Sequence, residues 1–150
     1  SSAVPSVLTN EEIMGLLPHR YPFALVDRVI SYEAGKSATG VKNVTINENY
    51  FQGHFESKSI MPGALIIESM AQSAGTLVVY SLKENHKNLS VYLLTIDKAK
   101  FRKPVEPGDV LNLVVNVVRN RGKTWKFSGR AMVGKNLVTE SDFTAMMVEQ

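Results

Sequence analysis

The sequence predicts an α+β fold in which a curved antiparallel sheet encloses a single apolar helix. Residues 62–83 are apolar on nearly every side of a helix, and a helix of that kind is buried rather than amphipathic. From Val91 to Val148 the chain reads as β-strand interrupted by short turns. A lone apolar helix must be covered, and a curved antiparallel sheet can wrap it. The 150 residues contain no repeat, low-complexity run or linker-like stretch, so one domain is expected over residues 1–150, large enough to form its own core.

The elements follow in order. Residues 1–8 are expected to be a flexible N-terminal segment. Thr9-Asn10-Glu11-Glu12 precedes Ile13, Met14, Leu16 and Leu17, with Pro18 as a stop, which predicts a short capped helix. Leu25–Glu33 and Ser37–Ile46 are apolar and β-branched enough for two strands. A loop, Asn47–Met61, carries Gly53-His54-Phe55. Pro62 suits a first helical turn, where its missing N–H costs nothing, and the helix can run to about Lys83. After Asn85–Asn88 come strands at Val91–Pro104, at Asp109–Asn120 beyond the turn Glu106-Pro107-Gly108, and through Trp125–Val133. In the last of these Trp125, Phe127, Gly129, Ala131 and Val133 alternate with Lys126, Ser128, Arg130 and Met132. Gly134-Lys135-Asn136 suits a hairpin turn before a final strand, Leu137–Val148. The expectation is two strands, one helix, then four strands joined as antiparallel hairpins.

Composition narrows the function. Hydrophobic residues make up 44% and charged residues 21%, ordinary for a soluble globular protein. There is no cysteine, which excludes disulfides, thiolate catalysis and cysteine-ligated metals, and fits a reducing compartment. The first ten residues have neither the basic nor the apolar region of a signal peptide. The longest apolar stretch, Ala64–Val79, is broken by Glu68 and Gln72, so no membrane span is expected and a cytoplasmic location is. A net charge of +3 is too small for a nucleic-acid binder but compatible with a small acidic partner.

Few residues could carry chemistry. An ionised carboxylate on an apolar helix is costly unless paired, which singles out Glu68. Its same-face neighbours are Ala64, Ala71, Gln72 and Gly75; all but Gln72 are small and leave room beside the acid. On these residues Glu68 is either a structural ion-pair partner or a functional acid. His54, in a loop just before the helix, is either a packing residue or a base. His86 lies in a polar helix exit, and His19 in Leu17-Pro18-His19-Arg20 could brace a turn. No H-x-x-x-H spacing occurs, so no metal site is expected. Gly63 and Ala64, at the helix start, offer free backbone N–H groups that could meet a developing oxyanion. Lys98, Lys100 and Arg102 recur at period two with Lys103 adjacent, and Arg119, Arg121, Lys123, Lys126 and Arg130 lie on expected partner strands. This is either a solvated sheet face or a docking surface for an acidic partner.

Three stretches, in order, resemble the FabZ-type 3-hydroxyacyl-acyl-carrier-protein dehydratases. The first is Leu17-Pro18-His19-Arg20-Tyr21-Pro22-Phe23 through Ala24-Leu25-Val26-Asp27-Arg28. The second is Gly53-His54-Phe55, then Ile60-Met61-Pro62-Gly63-Ala64 up to Glu68 and Gln72. The third runs from Ile96-Asp97-Lys98-Ala99-Lys100-Phe101-Arg102-Lys103-Pro104-Val105 to Pro107-Gly108-Asp109. The fourteen-residue step from His54 to Glu68 also matches. Glu56 and Ser59 stand where the family commonly has proline.

The resemblance implies a hot-dog fold, dimers whose sheets join edge to edge, and assembly as a trimer of dimers. It implies dehydration of (3R)-hydroxyacyl-acyl-carrier-protein to the trans-2-enoyl form in type II fatty-acid biosynthesis, with the acyl carrier protein as partner and no cofactor, metal, nucleic acid or membrane. His54 would be the base, since imidazole, with a pKa of about 6.5, is largely neutral at pH 7. Glu68 would be the acid that protonates the departing hydroxyl. The Gly63 N–H would meet the thioester oxygen, Phe55, Ala64 and Gln72 would contact substrate, and Lys98, Lys100, Arg102 and Lys103 would dock the carrier. Three other readings stay open: a hot-dog acyl thioesterase; an isomerising dehydratase, whose helix acid is Asp rather than Glu; and an acyl-binding module without turnover.

Overall fold

In-and-out alternation organises the sheet. Leu111, Leu113 and Val115 are buried on one strand, Phe127, Gly129 and Ala131 on the next, and Phe143, Ala145 and Met147 on another, while the residues between them are half-buried or exposed. That period of two marks a sheet with one face on a core. The computed structural model describes residues 26–33, 35–45, 61, 63–82 and 89–149. Among them run β1 (Arg28–Glu33), β2 (Ser37–Asn43), α1 (Gly63–Leu82), β3 (Leu89–Phe101), β4 (Val110–Arg121), β5 (Thr124–Val133) and β6 (Asn136–Glu149). All neighbouring strands are antiparallel, in the order β1-β2-β4-β5-β6-β3. The helix packs against β2 through β6, so the sheet curls around it as expected. The helix expected at residues 9–17, segment 1–8, His19, His86 and most of the 47–61 loop, with His54 and Phe55, lie outside the described residues.

The core lies between α1 and the concave sheet face. Met70, Ala74, Leu77 and Val78 from the helix meet Phe127 and Phe143, whose stacked rings have centroids 5.4 Å apart. The helix also buries polar side chains. The hydroxyls of Ser69, Ser73 and Thr76 donate to the carbonyls of Leu65, Ser69 and Gln72, four residues back, at 2.8, 3.1 and 2.9 Å. Bonded within their own helix, they need nothing from the sheet. This lets α1 come very close to β2: a Cβ on Gly40 would lie 2.3 Å from Ser73 Oγ. Only glycine fits there without movement.

Two expectations about the sheet are corrected. The first is the hairpin between the third and fourth strands. β3 pairs with β6 at the far edge of the sheet, and β4 pairs with β2 and β5. Alternation reports which face a residue occupies, not which strand lies beside it. The link from Arg102 to Asp109 crosses the width of β5 and β6, about 14 Å at 4.8 Å per strand spacing, well within eight residues at about 3.3 Å each. The turn within it forms as expected: Pro107 is followed by Gly108 at φ 97°, the sequence and sign a type II turn requires. The cations of β4 and β5 therefore do not stand on the strand beside β3, although Arg130 reaches the depression of Lys98 and Lys100 across β6.

The second correction concerns the regular alternation of Lys98, Lys100 and Arg102. The β3–β6 register shifts between Asp97 and Lys100, and Lys98 sits at φ 55°. The extra residue of a β-bulge reverses the in-and-out order beyond it. Ile96 and Ala99, three apart, consequently border the same groove, while Lys98 and Lys100 border a depression elsewhere on β3. Ser141 Oγ lies 3.1 Å from the Asp97 carbonyl at this bulge and 2.9 Å from the Asp142 carbonyl, and shares its one proton between them.

Candidate active site

The start of α1 is fixed by its neighbours. The Met61 N–H donates to the Val105 carbonyl at 2.7 Å, tying the helix entry to the crossing segment. That segment is held in turn by Gly108 N–H to Val44 O at 2.8 Å and Val44 N–H to Asp109 O at 3.0 Å. At Gly63 the helix backbone faces the ring of Phe101, and a Cβ there would fall 2.3 Å from its Cε1 atom. Glycine at this position keeps the first turn of the helix open to the groove beside it.

That groove has a volume of about 670 Å³, in the range of small-molecule sites. Gly63, Ala64, Ile66 and Ile67 form its helix wall; Ile96, Ala99 and Phe101 form the β3 wall; Thr139 of β6 also borders it. The N–H groups of a helix's first turn have no partner within the helix and carry the positive end of its dipole. The expected positions Gly63 and Ala64 thus lie together on an apolar groove, where a developing negative charge would find donors.

Glu68 is one helical turn beyond Ala64, about 6 Å along the axis at 1.5 Å per residue. The apolar surroundings read from its neighbours hold only in part: Glu68 is half-buried and Ala64 exposed, whereas Ala71, Gln72 and Gly75 are buried. Gln72 Nε2 donates to Glu68 Oε1 over a long 3.3 Å. As Gln72 is itself 1% exposed, its amide is a fixed partner for the carboxylate. Among the described residues no three His, Asp or Glu side chains gather as a metal site would require, and no helix is long and apolar enough to cross a membrane.

The basic residues of β3 collect around one carboxylate. Arg102 Nε donates to Glu140 Oε2 at 2.8 Å. The Arg102 hydrogen bond is the main cause holding the Glu140 carboxyl below its ordinary value; desolvation opposes it, and the charges of Arg102, Lys100 and Arg130 add to the lowering. Lys98 and Lys100 border a shallow depression with Arg130, Glu140 and Asp142. Lys103 Nζ donates to Asn136 Oδ1 at 3.3 Å. The expected docking cations are close in space, partly neutralised by Glu140, with Arg102 and Lys103 also reaching the groove.

Reading the sequence alone missed Phe101 and Thr139. Phe101 follows the bulge, which turns it onto the groove. Thr139 had a visible signal: it is a polar residue at an inward position of β6, in series with Phe143, Ala145 and Met147.

Comparison with known proteins agrees with this geometry. Residues 17–142 match the family model for the FabA-like domain. The chain is 49% identical over 148 residues to the 3-hydroxyacyl-(acyl-carrier-protein) dehydratase FabZ of Gluconobacter oxydans, covering 99% of this chain and 88% of that protein. It is 47% identical to the enzyme of the same name from Rickettsia typhi, covering 96% and 99%. Its fold matches a solved structure of the dehydratase heterocomplex ApeI:P from Xenorhabdus doucetiae, with a TM-score of 0.80, 19% identity and coverage of 92% and 91%. The fold is the hot-dog fold. With the groove at the head of its central helix and near-complete alignment to these relatives, the chain belongs to the FabA-like family, among the FabZ-type 3-hydroxyacyl-(acyl-carrier-protein) dehydratases.

Proposed function

We propose that this chain dehydrates (3R)-hydroxyacyl thioesters borne by an acyl carrier protein to trans-2-enoyl thioesters, as a step of type II fatty-acid biosynthesis. The observation that carries the reading is Glu68, held by Gln72 one turn beyond a groove that Gly63 keeps open at the helix N-terminus. Substrate would be bound by Phe55, Ala64 and Gln72. His54 removes the proton from the carbon next to the thioester, and the electron pair moves toward the carbonyl oxygen, which meets the Gly63 N–H. As the carbon–carbon double bond forms, the β-hydroxyl departs with a proton from Glu68, as water. The proton taken by His54 then returns to Glu68, and the enzyme is restored. Each positioned transfer is worth roughly 10²–10⁴-fold. The balance needs no electron acceptor and no cofactor.

The reading includes a dimer. β3 is a thirteen-residue edge strand with Tyr92, Leu94 and Ile96 at 52%, 49% and 45% exposure. Long apolar edges of this kind are normally covered, and pairing β3 with its two-fold copy would cover this one and join the two sheets. Three such dimers would form the hexamer. His54 of one chain would then serve Glu68 of the other. Arg102 and Lys103, on the groove, and Lys98 and Lys100, on the separate depression of β3, would together receive the acidic carrier.

The test is a 3-hydroxyacyl thioester followed at two signals: enoyl-thioester absorbance and release of free thiol. Enoyl formation without thiol release is expected. Thiol release with no enoyl intermediate would make the chain a thioesterase, and neither signal would leave it an acyl-binding module.

A further inference from the structure

We propose that the Thr139 hydroxyl binds the substrate, donating a hydrogen bond to a carbonyl oxygen of the carrier-borne acyl chain or its linking arm in the groove; this rests on the dehydratase reading above. Thr139 stands at an inward position of β6, paired with Phe101 on β3 and Ala131 on β5, and is 0% exposed. Among the described residues its Oγ1 has no hydrogen-bond partner. Buried hydroxyls are almost always bonded, and one that is not calls for a cause. The comparison within this chain is direct. Ser69, Ser73 and Thr76 bond back along the helix, and Ser141, the next inward residue on the same strand, reaches the Asp97 carbonyl.

The position of the unpartnered hydroxyl supplies the cause. Thr139 borders the groove together with Gly63 and Ala64 but lies just beneath its surface, so substrate reaches the hydroxyl by displacing a lining side chain. The other side chains lining the groove are apolar, apart from Arg102 and Lys103. A threonine hydroxyl can give one proton, and a neutral carbonyl oxygen is its natural acceptor in apolar surroundings. A carrier-borne thioester offers such oxygens in two places: at the thioester itself, and in amides of the arm that links it to the carrier. Either would satisfy the hydroxyl only while substrate is bound, so the unmade bond of the free protein becomes binding energy in the complex.

The test compares Thr139→Val, which keeps the shape and removes the hydroxyl, with Thr139→Ser, which keeps the hydroxyl. Each is assayed on carrier-linked substrate and on the same acyl group carried by a short thiol without amides, with thermal melting recorded in parallel. Thr139→Val should lose at least about 5-fold in kcat/KM, as expected for one neutral hydrogen bond, with melting unchanged or raised because no protein partner is lost. Thr139→Ser should stay near the parent. Loss on both substrates identifies the thioester carbonyl and loss on the carrier-linked one alone an arm amide; both support the proposal. Parental kcat/KM on both substrates overturns it, as does a lowered melting temperature with unchanged kinetics. Should Thr139→Val fail to fold, Thr139→Ala takes its place, and equal kinetics for the Ala and Ser variants would be equally fatal. A parent chain with no turnover at all defeats the dehydratase reading instead, so the two failures are distinct.

Discussion

Replacing Gly40 with alanine tests how α1, the helix bearing Glu68 and Gly63, is seated on the sheet. The new Cβ would lie 2.3 Å from Ser73 Oγ, 3.2 Å from Ser73 Cβ and 3.3 Å from Val26 Cγ1. Ser73 is 0% exposed, and its hydroxyl is bonded to the Ser69 carbonyl at 3.1 Å. The serine must turn and break that bond, or the helix must rise from β2. Overpacking of this kind costs about 1–3 kcal/mol, and a lost buried hydrogen bond adds about 1 kcal/mol. Alanine recovers about 0.5–1 kcal/mol of chain entropy relative to glycine. A net loss of about 2 kcal/mol follows, or roughly 4–8 °C in Tm for a chain of this size. Thermal unfolding by circular dichroism checks the single variant. The double variant Gly40→Ala/Ser73→Ala removes the 2.3 Å contact and leaves those at 3.2 and 3.3 Å, so it should recover at least about half of the loss. A Tm within a degree of the parent, or a double variant no better than the sum of its parts, would refute the close seating.

Gly63→Ala should act on the reaction and spare the fold: Phe101 is 57% exposed and can swing away, but then narrows the groove. We expect kcat/KM to fall at least about 10-fold, the order of a substrate misplaced by an ångström or less, with Tm shifted by less than about 3 °C; unchanged kinetics would remove the groove from the reaction path. Charge reversal at Lys98 and Lys100 should weaken use of carrier-linked substrate several-fold and spare the short-thiol substrate, with added salt mimicking the variant; equal losses on both would assign these residues a structural role. Mixing His54→Ala with Glu68→Gln under conditions that exchange subunits should restore roughly one quarter of parental activity, because half the dimers are mixed and each has one intact site of two. Recovery of nothing would place both residues in one chain.

Much of this architecture was legible in the sequence, for identifiable physical reasons. The central helix, expected at 62–83, runs from Gly63 to Leu82, because an all-round apolar run ending in a polar stretch has few other solutions. Strands β4, β5 and β6 fall within one or two residues of their expected bounds, since inward and outward side chains alternate through most of their length. The neighbour of β3 was not legible: pairing across the sheet depends on the curvature set by the enclosed helix, which no local pattern encodes. The bulge at Lys98 was hidden because a left-handed residue is usually announced by glycine or asparagine, and here it is a lysine supported by Ser141. In the site, Glu68 stood out as an acid on an apolar helix. Its half-exposure did not, since which side of the helix is covered depends on packing between segments distant in the chain.

The central claim is acid–base dehydration by Glu68 with His54. It is tested most directly by following hydration of an enoyl thioester, the reverse reaction, through loss of absorbance with the parent, Glu68→Gln and His54→Ala. The account predicts a fall of at least about 10²-fold in each variant, with Glu68→Gln still folded because glutamine keeps the shape of glutamate. Turnover within a few-fold of the parent in Glu68→Gln, or an unfolded variant whose remaining folded fraction is fully active, would make Glu68 a structural residue and contradict the mechanism.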